Sequence, residues 1–171
     1  DMAERESAFY DNVIYWKTWQ LAQALGLTAN DQSGLMQLKQ RIIDHFWYPE
    51  KGYFIEDLSE RGMAEKLYSS DWLIAYQVGM LDPEDEQDRQ YLVKSIDYII
   101  RNAIDQPFGL QYSPEERPWQ LHFVVRIAAP EYGSTAIWSN WGMEYIKLLI
   151  HLVKVTDNNS YLNKVDQQLN A

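Results

Sequence analysis

Apolar residues recur every three or four positions in six segments of the chain, which is the spacing of an α-helix. These segments span about 7–25, 33–47, 69–81, 82–104, 134–155 and 160–169. In the second segment Leu35, Leu38 and Ile42 fall on one face, while Lys39 and other polar residues fall on the opposite face. The sixth segment is short and polar. Together the six segments predict an all-α fold.

The helices are of two kinds, and the kinds alternate along the chain. The first, third and fifth are rich in aromatic residues and nearly uncharged, whereas the second and fourth are amphipathic, with Asp88 on the outer face of the fourth. A helix that is apolar on most sides is buried on most sides. Alternating inner and outer helices predict helical hairpins arranged in two layers, as in a helical toroid. The edge hairpins of an incomplete toroid would expose apolar flanks.

Capping residues predict where several helices begin and end. Asp82 is expected to cap the fourth helix, with Pro83 at its first helical position. Ser134 and Thr135 are expected to cap the fifth helix, and Gly26 marks the end of the first.

The connections alternate between short and long. Short turns join the helices of each pair, whereas the connections 48–68 and 105–132 are long and rich in aromatic residues. Gly52 and Gly109 mark turns within them, where short strands could form. Hairpins of this kind place both long loops, and the N-termini of the inner helices, on one side. Helix N-termini carry unpaired amide donors that suit hydroxyl-rich or anionic ligands, so we expect the functional site there.

Composition narrows the classes of function. The 171 residues suit a single domain, and 46% hydrophobic residues suffice for a core. A net charge of -10 argues against a nucleic-acid partner. The chain lacks cysteine, and its three histidines show no metal-ligand spacing, so we expect no metal and no cofactor. No apolar run is long enough for a membrane span and no signal peptide is visible, so a cytoplasmic location is expected.

Five motifs occur in order along the chain, at the spacing of helical hairpins. They are Asn12–Trp16, His45–Asp57, Gly79–Glu84, Pro107–Pro114 and Tyr132–Trp138. The last four are similar to the patterns FW(N/D)-x-E-x-GY-x-x-D, GLLDPE, TPYGLRSLSP and YHxGTVWPW. The chain thereby resembles the C-terminal glucosidase region of glycogen-debranching-type enzymes and related (α/α)6-barrel glycoside hydrolases. It departs from the family at Ser139, where proline is common.

The resemblance implies an (α/α)6 toroid of six hairpins, of which this chain supplies about three. We therefore expect a single domain over residues 1–171 that is a fragment of a larger barrel, completed by the remaining hairpins or by another subunit. The implied activity is hydrolysis of α-linked gluco-oligosaccharides, with inversion and with a carboxylic acid and carboxylate pair. In the family the acid lies in an earlier hairpin and the base follows the last one. The alternatives are a non-catalytic carbohydrate-binding module and a helical scaffold for protein partners.

Three candidate binding residues lie on the loop side of the predicted inner helices. Asp71 either caps the third helix or accepts hydrogen bonds from sugar hydroxyls. Tyr132 and Trp138 flank the start of the fifth helix, where the resemblance places the sugar; each either stacks on a pyranose ring or packs in the core.

Two further candidates are Asn12 and Arg126. Asn12 either reaches the central cavity or makes a structural hydrogen bond. Arg126 lies in an apolar run and needs a partner, which is Glu131, another carboxylate or a sugar. If this chain performed hydrolysis alone, Asp71 and Glu131 would be the catalytic pair.

Overall fold

The structure, a computed structural model, describes residues 7–106, 108–117, 122–132 and 134–170, except for the side chain of Arg126. The described residues are mostly helical, which confirms the predicted all-α class. The α-helices are α1 Phe9–Ala24, α2 Gln32–Phe46, α3 Glu60–Glu65, α4 Ile74–Gln77, α5 Glu86–Arg101, α6 Phe123–Ala128, α7 Ser139–Thr156 and α8 Ser160–Leu169. A 3-10 helix, Ser70–Leu73, runs directly into α4.

The boundaries of three helices agree closely with the prediction. The sixth predicted segment coincides with α8, and the first two match α1 and α2 to within about two residues. The apolar face of α2 is buried as predicted, and Asp31 caps its start by accepting a hydrogen bond from the Gly34 amide at 2.8 Å. Gly26 follows α1 with φ of 69°, as a helix stop requires.

The predicted start of the fourth helix is wrong. Asp85, not Asp82, is the N-cap of α5, because its carboxylate accepts a hydrogen bond from the Asp88 amide at 2.9 Å. The Asp82 carboxylate instead accepts from the Glu84 amide at 3.0 Å within the preceding turn. Asp88 is also buried rather than outward-facing, since it pairs with Lys39 of α2 at 2.5 Å.

A pair of short strands lies where the start of the fifth helix was predicted. β3 Leu110–Gln111 pairs antiparallel with β4 Ile137–Trp138. This pairing holds β4 extended, so α7 begins at Ser139, and the predicted caps Ser134 and Thr135 are wrong. In the first long loop, β1 Trp47–Tyr48 pairs with β2 Tyr53–Phe54 around Gly52, as the turn signal predicted. The short helices α3 and α6 within the long loops were not predicted.

Among the described residues, two helical hairpins, α1–α2 and α7–α8, share an interior with the 3-10 helix. α1 and α7 both pack on the 3-10 helix, which continues through α4 toward α5. The interior side chains Val13, Leu73 and Tyr145 are fully buried. α1 and α7 are not buried on all sides, however. Tyr15 on α1 is 63% exposed and Met143 on α7 is 50% exposed, so both helices present an apolar flank to solvent.

One glycine allows the second long loop to lie directly on α7. A Cβ atom at Gly142 would lie 2.7 Å from the Gly109 Cα, closer than atoms can approach. Because Gly142 has no side chain, β3 can pack against the first turn of α7, and β4 then pairs with it.

A buried carboxylate fixes α8 to the rest of the fold. Asp105, which follows α5, is fully buried and pairs with Lys164 of α8 at 3.0 Å. The Tyr145 hydroxyl of α7 donates to the same carboxylate oxygen at 3.1 Å. Gln168 of α8 donates to the Asp105 carbonyl at 2.5 Å. One residue thus connects the end of α5 to α7 and α8.

In the described ranges, no helix combines the length and the apolar character that crossing a bilayer requires.

Buried tyrosines make folding stability sensitive to alkali. Burial raises the pKa of Tyr53, Tyr68, Tyr98 and Tyr145, and the neighbouring Asp105 charge raises that of Tyr145 further. Between the unfolded value of about 10 and the raised folded value, the unfolded chain loses protons that the folded chain keeps. We therefore expect full stability below pH ~10 and a loss above it of about 1.4 kcal/mol per pH unit for each such tyrosine.

The measurement is a pH titration that follows phenolate absorbance and helical circular dichroism together. The phenolate absorbance of these tyrosines should rise in the same cooperative transition in which the helical signal is lost. If all tyrosines ionised near pH 10 while the helical signal stayed intact, the prediction would be contradicted.

Candidate functional site

The two long loops meet in a buried polar cluster, which consists of Glu56, Asp71, Tyr112 and Arg117. Glu56 follows β2, Asp71 lies in the 3-10 helix, and Tyr112 follows β3. Each of the four residues is at most 5% exposed. Buried charges of this kind persist when they are paired and hydrogen-bonded, so the contacts within the cluster determine its chemistry.

Arg117 links the second long loop to the first. Its Nη1 atom forms an ion pair with Glu56 Oε2, and its Nη2 atom donates to the Tyr68 carbonyl at 2.5 Å. Both side chains of the ion pair are 1% exposed. A planar guanidinium can hold two acceptors at once in a fixed geometry, so this residue fixes the loops relative to each other.

Tyr112 connects the two carboxylates of the cluster. Its hydroxyl oxygen lies 2.8 Å from Asp71 Oδ2 and 3.2 Å from Glu56 Oε1, and Ser69 Oγ donates to Asp71 Oδ1. The Tyr112 hydroxyl thus occupies the space between the two carboxylates, where an inverting pair would hold its water. In this conformation Glu56 and Asp71 are bridged by a side chain of the protein.

Backbone hydrogen bonds hold the cluster in place. The Ser70 amide donates to the Tyr112 carbonyl at 2.7 Å, and Ser70 Oγ donates to the Gln111 carbonyl at 2.6 Å. On its other side Tyr112 donates its amide to the Ala136 carbonyl at 2.9 Å. Tyr112 is thereby fixed between the 3-10 helix and the segment that leads into α7.

Three rings extend from the cluster toward solvent, and we refer to Tyr112, Trp138 and Tyr132 as the aromatic row. The Trp138 ring centroid lies 5.6 Å from that of Tyr112 and 5.4 Å from that of Tyr132. Tyr112 is buried, Trp138 is half-buried and Tyr132 is 42% exposed. The row therefore presents an accessible aromatic surface whose inner end contacts Asp71.

Asp71, Trp138 and Tyr132, three of the predicted binding residues, are brought together here. The N-cap alternative for Asp71 is not what the structure contains: Ser69 occupies the cap position, and the Asp71 carboxylate accepts from hydroxyl groups. Glu131, the other member of the hypothetical catalytic pair, has an exposed side chain, and its carbonyl accepts from the Ser134 amide at 2.9 Å.

Asn12, another predicted binding residue, makes a local hydrogen bond. Asn12 lies in the first turn of α1 and donates to the Ala8 carbonyl at 2.8 Å, in agreement with the structural alternative. Arg126 has its backbone in α6, and its side chain lies outside the described residues. Pro107 and Gly133 of the sequence motifs also lie outside them.

Glu56, Tyr112 and Arg117 were not predicted as site residues. Glu56 directly follows the apolar run Tyr53–Ile55. A charged residue next to such a run indicates a buried ion pair. Tyr112 lies within one of the sequence motifs but was not singled out. Arg117 has no local signal, since its partner is 61 positions away.

The described residues contain no group of three or more histidine, cysteine or carboxylate side chains suited to a metal ion. No protein-family model matches the chain, and searches of curated proteins and of solved structures find no match. The sequence motifs, the buried polar cluster and the aromatic row are thus the basis for assigning a function.

Proposed function

We propose that this chain forms a saccharide-binding wall of an (α/α)6-toroid glycoside hydrolase acting on α-linked gluco-oligosaccharides. The observation that carries the proposal is the aromatic row, which leads from solvent to the Asp71 carboxylate on the long-loop side. The order of the five sequence motifs supports it independently. In this proposal α1–α2, α4–α5 and α7–α8 are consecutive hairpins of the toroid, and α1, α4 and α7 are its inner helices.

The chemistry of the row suits a sugar. The faces of aromatic rings cover the apolar C–H face of a pyranose, and Tyr132 and Trp138 offer such faces at different depths. Tyr132 also brings a hydroxyl that can donate to and accept from sugar hydroxyls. Sites for small molecules typically have a largely apolar and aromatic wall with a small number of polar groups.

The carboxylates of the buried polar cluster support the wall and are not assigned to catalysis. Glu56 is engaged by Arg117, and the Tyr112 hydroxyl occupies the place between Glu56 and Asp71 where a hydrolytic water would stand. An inverting acid and base would therefore come from other parts of the toroid, as the family resemblance implies.

A non-catalytic carbohydrate-binding module is the second candidate. The burial of Glu56 and Asp71 favours it, because groups that are 2% and 5% exposed do not meet a substrate directly. The two candidates share the same binding surface and differ in turnover.

Saccharide titration of the chain tests both candidates. We expect calorimetry to detect binding of maltotriose in preference to cellotriose. Tyr132→Ala should weaken binding by at least about tenfold, or ~1.4 kcal/mol, because it removes an exposed stacking surface while leaving the core untouched. Trp138→Leu should weaken it further.

Tyr15→Ala is the matched control, since Tyr15 is an exposed tyrosine on α1. It should leave the affinity unchanged. Absence of binding to every α-linked glucan tried, or equal binding by Tyr132→Ala, would contradict the proposal. The chain combined with the remaining hairpins of the toroid should release glucose if it is part of a hydrolase. Binding without release would support the binding module.

A further inference from the structure

The ion pair between Glu56 and Arg117 lies behind the aromatic row without forming part of its surface. Both side chains are 1% exposed, so neither can touch a ligand in this conformation. Each is nevertheless connected to the row. Glu56 Oε1 lies 3.2 Å from the Tyr112 hydroxyl, and Arg117 follows Tyr112 by five positions on the same loop.

Two side chains among the described residues hold the second long loop against the first. One is the Tyr112 hydroxyl between Glu56 and Asp71, and the other is the Arg117 guanidinium on Glu56 and the Tyr68 carbonyl. Glu56 takes part in both. Loss of the ion pair would leave the loop attached at this face by the Tyr112 side chain and the Ser70 bonds to the 3-10 helix.

The position of this loop is transmitted to the outer rings of the row. The Ser113 amide donates to the Ser134 carbonyl at 2.7 Å, and the Tyr112 amide donates to the Ala136 carbonyl. These bonds attach the segment between Tyr132 and Trp138 to the second loop. A shift of that loop therefore shifts the rings that a saccharide would contact.

We propose that Glu56 and Arg117 are positioning residues of the saccharide wall, which set the placement of Trp138 and Tyr132 through Tyr112 and its loop. The binding part of this inference rests on the proposed function. The positioning part does not rest on that function, because the placement of Trp138 can be measured in the chain without ligand.

The test is the double variant Glu56→Met/Arg117→Met, which removes both charges together. Replacing a buried ion pair by apolar side chains of similar volume often leaves stability unchanged or raises it, so this variant is expected to fold. The first readout is the indole N–H resonance of Trp138 in a nitrogen-15 NMR spectrum, assigned from a Trp138→Phe variant. We expect it to shift or broaden while the indole resonances of Trp16 and Trp47 stay in place. The second readout is maltotriose affinity, expected to fall by about tenfold or more.

Asp44→Met/Arg41→Met is the control, since it removes one acid and one base from exposed positions on α2. It should change neither readout. An unmoved Trp138 resonance in a folded Glu56→Met/Arg117→Met variant overturns the positioning role. If that variant does not fold, Tyr112→Phe, which removes only the bridging hydroxyl, must shift the same resonance or the inference fails. Failure of the wild-type chain to bind any saccharide overturns the proposed function, while the Trp138 resonance still decides the positioning role.

Discussion

Replacing Arg117 alone by methionine is expected to lower the free energy of unfolding by about 3–5 kcal/mol. The variant leaves the Glu56 carboxylate buried without its cationic partner, and the Tyr68 carbonyl loses its donor. A charge in that position costs far more to bury than the methionine gains from its apolar contacts. Glu56→Met added to Arg117→Met should restore most of the loss, because the double variant contains no unpaired charge from this ion pair.

Urea unfolding followed by circular dichroism measures both variants. Arg41→Met, the same substitution at an exposed position on α2, should change the free energy by no more than about 0.5 kcal/mol. Equal stability of the wild type and Arg117→Met would mean that the ion pair does not form in solution. A double variant as unstable as the single one would mean that packing, and not charge, dominates this position.

The second large effect is expected at Lys164. Lys164→Met removes the cation that pairs with the fully buried Asp105 carboxylate. Tyr145 still donates one hydrogen bond to that carboxylate, but a neutral donor compensates a buried charge less well than a cation does. We expect a loss of about 3 kcal/mol. Because Asp105 holds α8 against α7, the loss should appear first as local opening of α8.

Hydrogen exchange of the α8 amides measures this opening, and Asn163→Met, an exposed position on the same helix, is the control. The control should leave exchange unchanged. If Lys164→Met accelerated exchange uniformly across all helices, α8 would unfold only with the whole domain, and the local interpretation would be wrong.

The helices that the sequence predicted well are those whose own side chains specify them. The apolar stripe of α2 and the whole of α8 follow from spacing within a single segment. The start of α7 does not, because it depends on β4 pairing with β3 across 28 positions (Leu110 with Trp138). The predicted start of α5 is wrong because Asp82 and Asp85 can both cap a helix, and only the fold selects Asp85.

The site was predictable only in part, for the same reason. Asp71, Tyr132 and Trp138 could be singled out because each lies at or near the start of a predicted inner helix or in a recognisable motif. Arg117 could not, because a salt bridge between two loops leaves no periodic pattern in either. Asn12 was selected for its place in a motif, and the structure gives its amide a local partner, the Ala8 carbonyl.

The separation of 61 residues between Glu56 and Arg117 has a consequence for biosynthesis. A ribosome adds about 5–20 residues per second, so Glu56 is made about 3–12 s before its partner. During that interval the α1–α2 hairpin can form, since its contacts are local. The carboxylates of Glu56 and Asp71 must stay hydrated until Tyr112 and Arg117 arrive. The buried polar cluster is therefore completed late in synthesis, and until α7 is made the face of the 3-10 helix that it covers is available to chaperones or to a wrong partner.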